Sequence, residues 1–246
     1  MNRIEILILM LLIFTFSGLY SEEAVGRTNF GESIIIINTN VTVYRNSKKG
    51  SSIIKMVNFL DIFKIKGSKI INGRIEIYIE NGRSGWVNVS ETSYIKNLGW
   101  KKFDKIEGLE LYLPKEYKYN FKVSNLPENE SGRSTQYDFV NPNLYIKIYY
   151  CEERKEFNIT NLYFEDTITE DTFKKMLIHQ TEAYYGEYKD PIEGSYVLDL
   201  FLIKDDRKKS FSISIIFPYF TLPVNYEKII LARKILFSSR VLHGIQ

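Results

Sequence analysis

The chain has a single cysteine, Cys151, and only two histidines, His179 and His243. One cysteine excludes an intramolecular disulfide, so a fold of this length must be held by burial. Two histidines, far apart and without ligand spacing, do not supply the two or three that a zinc amidase uses beside a carboxylate. Cys151 ends a strand-like run and does not open a helix, so it reads as a small packing residue. The six prolines all fall between Pro114 and Pro223, which leaves the first half proline-free. Neither a Gly-x-Ser-x-Gly elbow nor a phosphate loop occurs. A zinc ion or other cofactor is therefore not expected.

Long apolar runs are also scarce. The one that stands out covers residues 6–16, after Arg3 and Glu5 and before Ser17-Gly18-Leu19-Tyr20-Ser21. A basic start, a short apolar core and a small residue at the cut follow the secretory leader pattern. The run is shorter than the roughly 20 residues that a membrane-crossing helix takes. The expectation is a signal peptide over 1–21, an exported periplasmic or extracellular chain, and no stable membrane span after cleavage. The cysteine lies too far from that cut to carry a lipid.

What is plentiful is apolar, aromatic and charged: 44% hydrophobic and 26% charged residues, the composition of a folded protein. The net charge of +3 is unevenly spread. Residues 22–98 hold 11 Lys or Arg against 7 Asp or Glu, whereas 99–246 hold 21 against 22. Neither half reads as the concentrated basic stripe of a nucleic-acid binder.

Short runs rich in β-branched and aromatic residues mark strands over 34–37, 41–44, 53–57, 60–65, 75–79 and 85–89. Turn residues separate them: Asn46-Ser47, Gly67-Ser68, Asn72-Gly73 and Asn81-Gly82. The two Asn-Gly pairs suit hairpin turns that need positive φ. Ile75, Ile77 and Ile79 alternate with polar residues, as on a half-buried strand. Several short strands in so little chain imply a small antiparallel barrel.

These residues resemble a bacterial SH3 domain (SH3b) over about 34–96. Val41-Thr42-Val43-Tyr44-Arg45-Asn46 is similar to the family's opening strand, and 51–57 to the next. Gly82-Arg83-Ser84-Gly85-Trp86-Val87 is similar to its Gly-x-x-Gly-Trp-Val closing element. The resemblance implies a barrel over 22–98 that binds cell-wall peptide or glycan. Tyr44, Arg45, Trp86 and Tyr94 are its candidate ligand contacts, since rings stack on ligand and arginine forks onto carboxylates. The alternative for two of them is structural, with Trp86 inside the barrel and Tyr94 covering its end.

Residues 99–246 predict an α+β domain with an antiparallel sheet. Strands are expected over 108–114 and 144–151, and a hairpin over 195–204 and 210–217 around Asp205-Asp206-Arg207. Thr167-Ile168-Thr169-Glu170 fits a capping box, with Phe173, Met176, Leu177, Gln180 and Tyr184 following at helical spacing. A second helix is expected after Asn225, its N-cap, with Tyr226, Ile229, Ile230, Arg233, Leu236 and Phe237 along one side. Leu111-Tyr112-Leu113-Pro114 and Leu236-Phe237-Ser238-Ser239-Arg240 resemble the opening and the terminal helix of the PsbP/Mog1-like sandwich. The densest acids, Glu165-Asp166 and Glu170-Asp171, bracket the first helix start, where they complement the helix dipole without catalysis. No catalytic constellation emerges. The functional expectation is an exported, non-catalytic envelope protein whose SH3b module binds peptidoglycan. The alternatives are an assembly factor docking another envelope protein through its second domain, and, more remotely, a cell-wall hydrolase.

Overall fold

The computed structural model describes residues 33–96, 98–129, 132–142, 144–153, 172–204 and 209–242. The leader segment, the 165–171 acids and capping box, the 205–207 turn and His243 lie outside them. Residues 31–246 form one compact unit.

The fold is mainly β, with antiparallel sheets throughout. In the first half, β1 (Ser33–Ile35), β2 (Val41–Tyr44), β3 (Ile53–Val57), β4 (Ile62–Ile71), β5 (Arg74–Tyr78) and β6 (Ser84–Asn88) form one sheet. Its order is β1-β4-β5-β6-β2-β3, with β1 and β3 at open edges, so the sheet does not close on itself. Alternation positions the core: Val41, Val43, Ile75, Ile77 and Val87 are all fully buried. Asn72 (φ 52°) and Gly73 (φ 74°) join β4 to β5, and Asn81 (φ 60°) and Gly82 (φ 68°) precede β6. Positive φ at both positions is what an Asn-Gly pair tolerates. The expected turn at Gly67-Ser68 is instead a register shift within β4.

Ten further strands follow: β7 (Trp100–Phe103), β8 (Leu109–Pro114), β9 (Asn120–Asn129), β10 (Gly132–Asn141), β11 (Leu144–Glu153), β12 (Phe173–Ile178), β13 (Thr181–Lys189), β14 (Tyr196–Ile203), β15 (Lys209–Phe217) and β16 (Arg240–Val241). They make a seven-stranded sheet, β12-β13-β14-β15-β11-β10-β9, and a three-stranded one, β16-β8-β7. Leu198, Leu200, Leu202, Ile213, Ile215 and Phe217 of the larger sheet share a core with Leu109, Leu111 and Leu113 of β8. The helix α1 (Tyr226–Ser238) adds Ala232, Ile235, Leu236 and Phe237 to the same core. Ile35 and Ile37 also belong to it, so the first half is stitched into the second by its first strand.

α1 starts where the sequence places it, with Asn225 accepting from the Lys228 N–H at 2.9 Å. Of its expected side, Ile229, Ile230, Leu236 and Phe237 pack on the core and Arg233 is mostly buried, whereas Tyr226 is exposed; Lys234 is buried as well.

The other expected helix is corrected: among the described residues α1 is the one α-helix. Residues 173–189 form the hairpin β12–β13, paired from Phe173↔Gly186 to Ile178↔Thr181. His179 (φ 48°) and Gln180 (φ 67°) make its two-residue turn, a conformation their residue types do not announce. β13 gains a ladder partner on each side, β12 and β14, and this tertiary pairing overrides a helical apolar spacing. Gly186 seals the arrangement, because a Cβ there would stand 2.8 Å from the Phe173 ring.

Candidate functional site

Of the four candidate contacts, the structure brings two together. Tyr44 and Trp86 are register partners on β2 and β6, both half-buried on the outer face of the six-stranded sheet. Trp86 does not fill the interior, because its neighbours Gly85 and Val87 take the inward positions of β6. Arg45 is exposed at the end of the strand, where its N–H donates to the Ser52 carbonyl at 2.9 Å. Tyr94 is buried in the core of the six-stranded sheet, and its hydroxyl donates to the Ser68 carbonyl at 3.0 Å, so it packs rather than faces solvent. Burial pushes its hydroxyl pKa above the ordinary value.

Sequence reasoning missed Arg74. Its guanidinium stacks on the Tyr44 ring, 3.6 Å from the centroid. It donates to the carbonyls of Asn46 at 3.2 Å and Lys48 at 3.0 Å, and to Asn88 Oδ1 at 3.2 Å. One face of Tyr44 and the fork of Arg74 are therefore used internally, to hold the loop after β2.

A larger recess lies in the second half. A cleft of about 680 Å³ is lined by Lys189, Tyr196, Tyr219, Leu222, Pro223, Val224 and Ile229. Lys189 ends β13, Tyr196 opens β14, and the rest come from the segment that joins β15 to α1 and from the first turns of α1. Of its lining, Tyr219 is 68% exposed; Phe220 (80%) and Tyr226 (53%) lie next to lining residues in the chain, and Ile192 (76%) lines a second cleft that shares Lys189 and Tyr219 with the first. Scattered single apolar residues need no explanation, but a cluster rimmed by polar groups marks an interaction surface.

Both loops at this cleft are held in shape. Asp190 Oδ1 accepts from the N–H groups of Ile192 at 2.8 Å and Glu193 at 2.7 Å, an Asx-type turn. The Gly194 N–H returns to the Asp190 carbonyl at 2.9 Å. Gly194 sits at φ +67° with the Tyr219 ring 3.1 Å from where a Cβ would be, which joins the two loops. Opposite, the Thr221 hydroxyl and N–H donate to the Pro218 carbonyl at 2.7 and 2.8 Å. The Leu222–Pro223 peptide is cis.

Beside the cleft lies a buried polar cluster. Arg233 of α1 donates to Glu187 of β13 twice, Nε to Oε1 at 2.6 Å and Nη2 to Oε2 at 3.0 Å. The Tyr196 hydroxyl donates to Glu187 Oε2 at 2.9 Å, and the Tyr185 hydroxyl donates to Oε1. Arg233 Nη1 reaches the Ile37 carbonyl at 2.9 Å, and the guanidinium covers the Phe59 ring at 4.3 Å. Burial pushes the Glu187 carboxyl up, but the hydrogen bonds from Arg233 and the tyrosines outweigh it and hold the pKa below the usual range. Burial, with Glu187 beside it, pushes Tyr196 up to about 12. Both Glu187 oxygens accept and all three Arg233 nitrogens donate, so the cluster braces the cleft wall at Tyr196.

Two further groups complete the inventory. Asp199 on β14 is buried, with Oδ2 accepting from the Tyr188 hydroxyl at 2.5 Å. Desolvation pushes its pKa up against the neighbouring Ser214 and Tyr188 hydroxyls. Cys151 is half-buried within β11, where the Ser134 hydroxyl approaches its sulfur at 3.7 Å. Among the described residues no three His, Cys, Asp or Glu side chains gather as a metal site.

No family model matches the chain, and no curated protein does. Among solved structures, the chain is similar to PA94 of Pseudomonas aeruginosa, a protein of unknown function, at 11% identity and a TM-score of 0.25. That likeness covers 50% of this chain and 86% of the other.

Proposed function

We propose that the protein is an exported, non-catalytic envelope component that works by docking a polypeptide segment of another envelope protein into the cleft beside α1. The observation that carries this reading is exposed Tyr219, shared by two clefts, with the exposed side chains of Ile192, Phe220 and Tyr226 on the segments that supply those clefts. Preformed loops lower the ordering cost of association, and aromatic anchors at a recess are where binding energy concentrates. Tyr196 and Lys189 supply the polar groups that fix orientation in such a site. Export is drawn from the leader pattern of residues 1–21, and the six-stranded sheet is read as an SH3b-like module that spaces or presents the second half.

The test is the size of native complexes in envelope extracts, for the full chain and for the Ile192→Ser/Phe220→Ser variant. The reading expects a complex with an unlike polypeptide that the variant loses. Self-association of the purified chain alone, or no complex, contradicts it.

A second reading, wall binding by the SH3b-like module, is favoured by the Tyr44–Trp86 pair on an outer sheet face. It expects the chain to co-sediment with purified sacculi, weakened by Trp86→Ala and by Arg45→Ala. No co-sedimentation removes this reading and leaves the first intact.

A further inference from the structure

The charge of the second half is balanced in sequence but not in space. Where β8 ends and the chain turns toward β9, a cleft of about 420 Å³ is walled by Lys101, Lys102, Lys115 and Lys118. Its floor is apolar and aromatic, from Phe103, Leu113 and Pro114 to Tyr117 and Tyr119, and no acidic side chain lines it. Lys102 is paired with Glu110. Lys101, Lys115 and Lys118 form no ion pair among the described residues and are exposed. Glu116, in the same turn, stays outside the lining.

The lysines do not hang on a loose loop. The Tyr117 N–H donates to the Pro114 carbonyl at 3.1 Å, and Asn141 Nδ2 donates to the Lys118 carbonyl at 2.5 Å. Phe103 and Tyr119 meet edge to face at 6.0 Å, and Tyr117 lies against Tyr119 at 6.1 Å. Burial drives the Tyr117 hydroxyl pKa far up, as expected of a ring wedged into the floor. The frame is thus preformed around a one-sign wall over low-dielectric residues, which focuses the field in the cleft. Only Lys102 of the four has a carboxylate partner, Glu110; the like charges of Lys101, Lys115 and Lys118 are unfavourable together, and an anion relieves them.

We propose that this cleft binds a multiply charged phosphate group. Several lysine point charges and no arginine fork suit a compact, highly charged oxyanion better than a planar carboxylate. The site is separate from the docking cleft and does not depend on that reading. The phosphate could be carried by a soluble oligophosphate or by a lipid headgroup, and the experiment distinguishes the two.

The test uses the full chain with tripolyphosphate, by calorimetric titration at 50 and 200 mM salt, and with phosphatidic acid vesicles against phosphatidylcholine vesicles, by flotation. Three proteins are compared: wild type, Lys101→Gln/Lys115→Gln/Lys118→Gln, and a control, Lys48→Gln/Lys49→Gln, on the first half. Binding of either probe that falls at least tenfold in the triple variant, and less than twofold in the control, supports the proposal. Loss of affinity at the higher salt is expected with it. Tripolyphosphate binding assigns a soluble ligand, and binding to phosphatidic acid alone assigns a lipid phosphate. Binding of neither probe, or equal losses in both variants, overturns the proposal.

Discussion

Arg233 and Glu187 face each other in a two-pronged hydrogen bond, 2.6 and 3.0 Å, where α1 crosses the end of β13. The third prong of Arg233 lands on the Ile37 carbonyl, so one side chain ties the helix, the large sheet and the first half of the chain. Both side chains are mostly buried, which makes the pair costly to break and not necessarily stabilising as a whole. Arg233→Ala should destabilise the fold by about 3–5 kcal/mol, because it leaves the Glu187 charge buried and unpaired. Arg233→Met with Glu187→Leu removes the unpaired charge but orphans the Tyr185 hydroxyl and the Ile37 carbonyl, so it should recover only part of that loss. Urea unfolding of the single and double variants measures the difference.

Lys234, the next residue, carries an opposite lesson. Its ammonium is buried and donates to the Val89 carbonyl at 3.1 Å, and desolvation lowers its pKa to about 8. An unfolded lysine titrates near 10.4, so between about pH 8 and 10.4 the unfolded chain binds more protons. Wild-type stability therefore carries a penalty that is complete below pH 8 and fades as pH rises through that window. Lys234→Met removes the penalty but orphans the Val89 carbonyl. The variant should be more stable than wild type by about 1–2 kcal/mol at pH 7 and lose that advantage near pH 10. Equilibrium unfolding at the two pH values reads this directly.

Asp199 works the other way around. Its carboxyl pKa is raised by burial, so the folded state holds a proton that the unfolded state has released above about pH 3.9. Its stabilising contribution is whole below that pH and is lost as pH rises through the folded pKa. Asp199→Asn keeps the shape and removes the charge. It should flatten the loss of stability between pH 4 and neutrality, as measured by thermal melts across that range, and a parallel pH profile would refute the assignment.

Gly85 is required by space. A Cβ there would stand 2.4 Å from Val43 Cγ1 and 3.3 Å from the Tyr44 carbonyl oxygen. Gly85→Ala should cost about 1–3 kcal/mol by overpacking. Val43→Ala should cost energy alone yet soften the effect of Gly85→Ala, so the double variant should be clearly non-additive.

Much of this was legible in the chain. Strands over 41–44 and 53–57 were bounded correctly, because alternation and Asn-Gly punctuation are local signals. The Asn225 cap located α1 for the same reason. What failed depended on distant partners. The 173–189 hairpin looks helical until β14 supplies a neighbour for β13, and its His179-Gln180 turn lacks a turn signature. The outward position of Trp86 follows from the register of Gly85 and Val87 against Val43, which a single strand pattern does not fix. The docking cleft was invisible because Lys189, Tyr219 and Ile229 are far apart in sequence and only the sheet end assembles them. Its one early signal was the aromatic run Phe217-Pro218-Tyr219-Phe220 leading into a second proline.

The proposed function requires the chain to hold a partner at the Tyr219–Phe220 rim. A photo-crosslinking side chain at position 220, compared with one at Met56 on exposed β3, tests it most directly in the native envelope. Docking at this rim should give a discrete adduct with an unlike polypeptide from position 220, absent from position 56 and competed by excess wild-type chain. Equal labelling from both positions, or no adduct from position 220, would contradict it.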